Sequence, residues 1–262
     1  MLNHQELLKD FPKSREEKLR SIKRYSMFDV FYYRSTLWHH SLRVFFLIDE
    51  FFKAFQNDLP GFDWNKARAL ALVHDDAEMI TGDIQLGHKQ HMTPEQLKAL
   101  ADNEALAIEE LANGYPKEIA GYNYQELLLN ILHKDIIEAQ LVSYADKSDA
   151  YCESLHEVFG GNISGLRAVI NYVGVLRAFK EQYPNLKPIF KNKTSFLSTT
   201  DFYTDPWQVH KENYVYLGQP HKPETIRNQT QFILYNTWKN LVLDNLGTEG
   251  MEILTNQRES LK

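Results

Sequence analysis

Residues 70–84 read LALVHDDAEMITGDI. An apolar run, Leu70 to Val73, meets His74, Asp75 and Asp76 with no polar spacer, and Glu78, a Thr81-Gly82 break and Asp83 follow. A histidine and four carboxylates at the end of a core-like segment admit two readings: a helix surfacing into solvent, or a metal site. Just upstream, DLPGFD (58–63) breaks the chain with Pro and Gly, and Asp63 is placed to cap a helix running through Lys66-Ala67-Arg68-Ala69 to about Glu78. His74 and Asp75 then stand near a helix end. Neighbouring helical residues project about 100° apart, so an imidazole and a carboxylate there reach an ion lying between the two directions. Mixed N and O donors suit a divalent transition metal or Mn²⁺ better than a structural zinc site, where thiolates are common.

Two distant residues strengthen the metal reading. In residues 36–56, Val44, Leu47, Ile48, Phe51, Phe52 and Phe55 recur with helical spacing, which predicts one long helix with a single apolar stripe. His40, in WHHS (38–41), lies four residues before Val44 on that stripe, whereas His39 faces elsewhere and reads as structural. In EAQLVSYADKSDAYCE (138–153), Ile136, Ala139 and Val142 lead to Asp146 at spacings of three, three and four. Asp146 thus occupies an inward position, where a lone carboxylate is costly; a metal or a salt bridge would offset that cost. Asp149, one turn on, competes for the role.

Helical texture continues elsewhere. Thr93-Pro94 predicts a helix start, with Thr93 as cap and Pro94 in the first turn of a helix over 94–112. Further helices are expected over 123–133, 135–159 and 163–182. After Pro184 the stretch turns to Pro, Asn, Thr and aromatics without a period, and is read as irregular, with a short strand near Tyr214-Val215-Tyr216 and a last helix over 223–245. The expected architecture is an all-α core over 1–184 with a less regular C-terminal extension, 185–262, that packs on or caps it.

Bulk properties set outer bounds. The 262 residues are 43% hydrophobic and 24% charged, with a formal charge of −6. That balance speaks against broad binding to nucleic acid or acidic membrane while leaving room for a local phosphate pocket. The single cysteine, Cys152, builds no disulfide framework. The polar N-terminus lacks a signal-peptide segment, and no apolar run is long enough to span a membrane. Cytoplasmic location is the expectation.

Taken together, His40, the His74-Asp75 pair and Asp146 resemble the H…HD…D arrangement of the HD-domain metal-dependent phosphohydrolase superfamily, and within it the 5′-deoxynucleotidase branch. The shared blocks are His40-Ser41-Leu42-Arg43-Val44, then His74-Asp75, Glu78, Gly82 and Asp83 as HDxxExxxGD, then Glu138-Ala139, Val142 and Asp146, and an Arg-aromatic pair at Arg24-Tyr25. The resemblance covers roughly residues 15–160.

It implies an HD-domain helical bundle and one divalent metal ion (Mn, Co, Mg, Zn, Fe or Ni) held by His40, His74, Asp75 and Asp146. It implies hydrolysis of (deoxy)nucleoside 5′-monophosphates by a metal-activated water, with Glu78 and Asp83 catalytic. Glu78 would orient or deprotonate the water or protonate the leaving group, or else fix His74; Asp83 would hold a water or the sugar hydroxyl, or else shape a turn. Arg24 is a candidate for phosphate, to which a guanidinium is matched, unless it is exposed on a charged helix; Tyr25 would stack on a base or pack. The aromatic run Phe31-Tyr32-Tyr33 reads as core and Asp76 as solvated. His88, His91 and His133 are available to a second metal, although GHKQHM (87–92) reads as a solvated loop. The alternatives are dNTP triphosphohydrolysis, cyclic-nucleotide cleavage, or a non-catalytic metal-stabilised interaction module. The expected partner is a small nucleotide, neither membrane nor nucleic acid, and a homodimer is open to the chain.

Overall fold

The computed structural model describes residues 3–25, 35–84, 86–89, 91–159, 162, 164–191 and 233–255. In chain order these form α1 (His4–Leu8), α2 (Lys13–Ser21), α3 (Leu37–Phe55), α4 (Trp64–Val73), α5 (Glu78–Thr81), α6 (Leu86–Lys89) and α7 (Pro94–Gly114). A small hairpin follows, β1 (Glu118–Ile119) with β2 (Tyr122–Asn123), then α8 (Tyr124–His133), α9 (Ile137–Phe159), α10 (Gly165–Gln182), a 3₁₀ turn (Pro184–Leu186), α11 (Lys187–Lys191) and α12 (Ile233–Thr255). The fold is all-α, as expected. No helix among the described residues is long and apolar enough to cross a membrane.

By contacts the chain divides into two compact units, Met1–Arg24 with Ser35–Ala145, and Tyr25–Arg34 with Asp146–Lys262. Position 184, where the sequence texture changes, falls inside the second unit. Within the first unit α3 and α4 are central and pack on each other. The predicted single stripe on α3 understates its burial: every residue from Leu37 to Ile48 is buried, Arg43 included, and only the last two turns are amphipathic. On α4, Ala67, Ala69 and Ala71 are fully buried. Their small side chains allow close helix approach, while the bulk is supplied by Phe45, Phe51 and Phe55 of α3. Helices α7 and α8 pack on each other, and α8 also packs on α4.

The helix starts follow the local chemistry read from the sequence. The Asp63 carboxylate accepts from the N–H groups of Asn65 and Lys66 and so caps α4. Thr93 and Gln96 form a reciprocal capping box at the start of α7, with Pro94 in the first turn. The hairpin joining β1 to β2 has Ala120 at φ 49° and Gly121 at φ 85°, the two positive values that a tight two-residue connection requires.

The helix ends differ more. Helix α4 stops at Val73 and does not reach Glu78. From there the N–H groups of Asp76, Glu78, Met79 and Ile80 each bond the carbonyl three residues back, at 3.0 Å, so the chain tightens before α5.

In the second unit the residues after Pro184 are more regular than expected: the 3₁₀ turn and α11 bury Leu186, Ile189 and Phe190. The last helix ends ten residues beyond its predicted limit, at Thr255, and passes a kink at Gly247, because Ile253 and Leu254 are buried as well. Trp238 of α12 is fully buried and its indole N–H donates to Asp149 Oδ1 of α9 at 2.6 Å. The predicted strand near Tyr214–Tyr216 and the Phe31–Tyr33 run lie outside the described residues.

Asp63 serves more than its own helix, since its carboxylate also accepts from the Tyr122 hydroxyl at 2.9 and 3.0 Å. Asp63→Ala should cost about 1–2 kcal/mol of stability, read as a lower urea midpoint at unchanged m-value.

Candidate metal centre

His40 owes its place to the entry into α3. Arg24 N–H bonds the Ser35 carbonyl at 3.0 Å, Leu37 N–H bonds the Ile22 carbonyl at 3.2 Å, and Lys23 bridges Thr36 in antiparallel fashion. Thr36 caps α3, accepting from the His39 N–H. This short pairing brings Arg24 to the first turn of α3, where Nη1 lies 2.8 Å from His40 Nδ1. The charged helix that would have left Arg24 exposed ends at Ser21, and Arg24 is 8% exposed. His39 is structural, as read: Arg20 lies 3.2 Å from its Nε2 and the Thr36 hydroxyl 3.0 Å from its Nδ1.

His74 is the residue that closes α4, and Asp75 follows it into the tightened turn. His74 Nδ1 lies 2.8 Å from the Ala71 carbonyl. A carbonyl only accepts, so Nδ1 carries the proton and the Nε2 lone pair is free to face the site. That lone pair is 3.1 Å from His40 Nε2. Arg24 can only donate, so in this arrangement His40 Nδ1 accepts and Nε2 carries the proton; Nε2 becomes a metal donor when the proton moves to Nδ1 and Arg24 turns away toward a phosphate. The two Asp75 oxygens lie 3.5 Å from His40 Nε2 and 3.3 Å from His74 Nε2. Two imidazole nitrogens and a carboxylate thus converge at contact distance, a donor set that suits a divalent ion. His40 and His74 belong to a His/Asp group able to hold a metal ion.

Asp76 overturns its reading as a solvated residue. It is fully buried, with Arg15 Nη2 at 2.6 Å from Oδ1, Arg15 Nε at 2.9 Å from Oδ2, and the Tyr124 hydroxyl donating to Oδ2 at 2.7 Å. Arg15 comes from α2, in a run of charged residues that reads as a solvent face, and is 1% exposed. Its guanidinium sits 4.7 Å from the centroid of the Phe11 ring. Burial works against the Arg15 charge, but the Asp76 charge and hydrogen bond outweigh it and raise its pKa. Burial, then Asp76, pushes the Tyr124 phenol far up, so it stays a donor.

The helix expected to run to about Glu78 ends at Val73, so a turn separates His74 from Glu78, which opens α5. Glu78 Oε2 is buried, with no hydrogen-bond partner among the described residues. Burial, reinforced by the charges of Asp75 and Asp83, raises its pKa well above the usual carboxyl range. Gly82 ends α5 at φ 77°, ψ 160°, a conformation essentially reserved for glycine, and thereby turns Asp83 back toward the pair. Burial raises the Asp83 pKa, while the nearby charges of Arg24, His40 and Lys89 pull it down. His88, His91 and His133 are all exposed, consistent with a solvated role.

Two predicted residues lie in the second unit. Asp146 directly follows Ala145 in the unbroken helix α9 and makes an ion pair with Lys147. Asp149, its competitor, is fully buried and engaged by Trp238, which favours Asp146 as the ligand candidate. Tyr25 is 8% exposed, with φ 56°, and its hydroxyl donates to the Ala150 carbonyl at 3.2 Å, contacts in keeping with the packing alternative. Sequence reading missed Arg15 and Tyr124; neither lies near a motif.

Comparison with known proteins places this arrangement. A family model described as 5′-deoxynucleotidase YfbR-like matches residues 15–180. The 5′-deoxynucleotidases of Vibrio parahaemolyticus and Vibrio cholerae are 32% identical over 125 residues, 47% of this chain; the match spans 62% of their length. An HD-domain phosphohydrolase from Listeria innocua shares the fold with a TM-score of 0.54 at 19% identity, covering 69% of this chain and 84% of that one. A Pyrococcus horikoshii protein does so at 0.53 and 22%, covering 68% and 93%.

The buried Glu78 carboxyl has a stability consequence. Its folded pKa is raised, so the folded state holds the proton longer than the unfolded chain, whose carboxyl titrates near 4.5. Stability is fully retained below that pH and falls as pH rises toward the folded pKa. Glu78→Gln should therefore raise the melting temperature of metal-free protein at pH 7–8 and leave it nearly unchanged at pH 4, as read by calorimetry.

Proposed function

The chain belongs to the 5′-deoxynucleotidase YfbR-like family, and from that membership we propose that it is a metal-dependent phosphohydrolase acting on (deoxy)nucleoside 5′-monophosphates. The observation that carries the reading is the convergence of His40, His74 and Asp75 near Glu78, whose Oε2 has no hydrogen-bond partner among the described residues. The proposed ligands are His40, His74, Asp75 and Asp146, a grouping supported by the convergence of the two histidines with Asp75 and, for the partly exposed Asp146, by the helical periodicity of its sequence. A divalent ion bound there supplies Lewis acidity toward a phosphate oxygen and toward water.

The protein's own groups do the remainder. Arg24, already at the first turn of α3, is suited to hold the phosphate in bidentate fashion. Burial favours the protonated Glu78 carboxyl, the group to serve the leaving oxygen: water oxygen bonds to phosphorus, the P–O bond to the nucleoside 5′-oxygen breaks, that oxygen takes the Glu78 proton, and the proton given up by the water returns to Glu78. Asp83 orients a water or a sugar hydroxyl. Burial of His40 and Glu78 limits bulk water, which strengthens every charge interaction there.

A nucleotide panel assayed with Mn²⁺, Co²⁺ and Mg²⁺ tests the reading. Orthophosphate should appear from 5′-monophosphates; tripolyphosphate from dNTPs would point to the alternative chemistry, and no phosphoester cleaved by metal-loaded protein refutes hydrolysis. Asp75→Ala and Asp146→Ala should abolish both metal binding and turnover. Glu78→Gln should keep the metal while kcat falls about 10²–10⁴-fold.

A further inference from the structure

The Arg15–Asp76–Tyr124 cluster does more than fill the core. One guanidinium reaches both sides of the His74-Asp75 pair: Arg15 Nη2 donates to the Leu72 carbonyl at 2.7 Å and to Asp76 Oδ1 at 2.6 Å, while Nε holds Asp76 Oδ2 at 2.9 Å. Leu72 lies two residues before His74, and Asp76 one residue after Asp75. Helix α4 has no intrahelical donor left for its last carbonyls, and Arg15 meets one of them from outside. The Tyr124 hydroxyl, at 2.7 Å from Asp76 Oδ2, anchors the same carboxylate to α8. Phe11, Tyr115 and Tyr124 surround the cluster with ring centroids 5.4–6.1 Å apart.

We propose that Asp76, gripped by Arg15 and Tyr124, is a positioning residue that sets the geometry of the metal-binding turn. Asp75 and Asp76 point opposite ways, one toward the histidines and the other into the cluster. Fixing the second therefore fixes the first. Burying an ion pair brings little net stability compared with apolar residues of similar volume, so stability alone does not account for this one. Placement does: the turn between Val73 and Glu78 has few other side-chain anchors among the described residues. The neutralising guanidinium also keeps the Asp76 charge from adding to those of Asp75 and Asp83.

The inference rests on the proposed metal reading, and its test separates the two. The triple variant Arg15→Met/Asp76→Leu/Tyr124→Phe removes every polar group of the cluster together, so no buried charge is stranded. Its melting temperature without metal, its Mn²⁺ affinity by calorimetry, its Co²⁺ visible spectrum, and kcat and KM on a deoxynucleoside 5′-monophosphate are compared with wild type. The expected result is a melting temperature close to wild type, Mn²⁺ affinity weaker by about 10- to 100-fold, an altered Co²⁺ spectrum, and a fall in kcat larger than the change in KM. Wild-type metal affinity and Co²⁺ spectrum in the folded triple variant overturn the proposal while leaving the metal centre standing. Failure of wild-type protein itself to bind Mn²⁺ or Co²⁺ overturns both.

Should the triple variant not fold, Arg15→Lys carries the test. A single ammonium keeps the ion pair but cannot span the Leu72 carbonyl and both Asp76 oxygens. Weakened metal affinity in that variant supports the proposal; unchanged affinity overturns it.

Discussion

A guanidinium cut off from water must find its acceptors inside the protein, and Arg15 finds Asp76 and the Leu72 carbonyl. Much of the first unit is arranged around that requirement. Helix α4 ends where Arg15 meets its last turn, α2 is held against α4 by the same contact, and α8 joins through Tyr124. Stranding either charge would cost about 3–5 kcal/mol, a large fraction of the stability of an ordinary domain. A buried pair of this kind tolerates little change in register, so α2, the turn after α4 and α8 are held in one mutual arrangement.

On the other side of that turn the electrostatics are left unbalanced. Asp75, Glu78 and Asp83 influence one another, against Arg24 and Lys89. A pocket that raises two carboxyl pKa values and leaves Glu78 Oε2 without a partner is unfavourable for folding by itself. Such cost is usual where chemistry is done. It also explains why the neighbouring Asp76 needs its own cation: a further uncompensated charge next to Asp75 would deepen the repulsion.

How much of this could be read from the chain depends on the range of the interaction. Asp63, Thr93 and Pro94 were legible because caps act within three or four residues. His40 was legible because a helical stripe places it inward; the same periodicity marked Asp146. The end of α4 was not legible, because apolar residues and good helix formers continue past Val73 and the group that meets its last turn is 57 residues upstream of Leu72. Asp76 failed for the same reason, with its partner 61 residues away in a run that resembles a solvent face. Arg24 was recognised by motif, but its burial comes from the pairing of residues 22–24 with 35–37, two stretches too short to show a strand pattern. The family resemblance supplied what periodicity could not, the joint role of residues on separate helices.

Gly82 separates Glu78 from Asp83, and its constraint is of an unusual kind. A Cβ built there on the L side meets no atom within 4 Å, so room is plentiful; only the backbone at φ 77° stands in the way. The demand is therefore one of handedness. The mirror image of this backbone lies in the extended region open to any L residue. A D-alanine introduced by chemical synthesis would meet no backbone strain at position 82, while L-alanine, its twin in volume and polarity, would force the turn to rebuild and carry Asp83 away from the pair it faces.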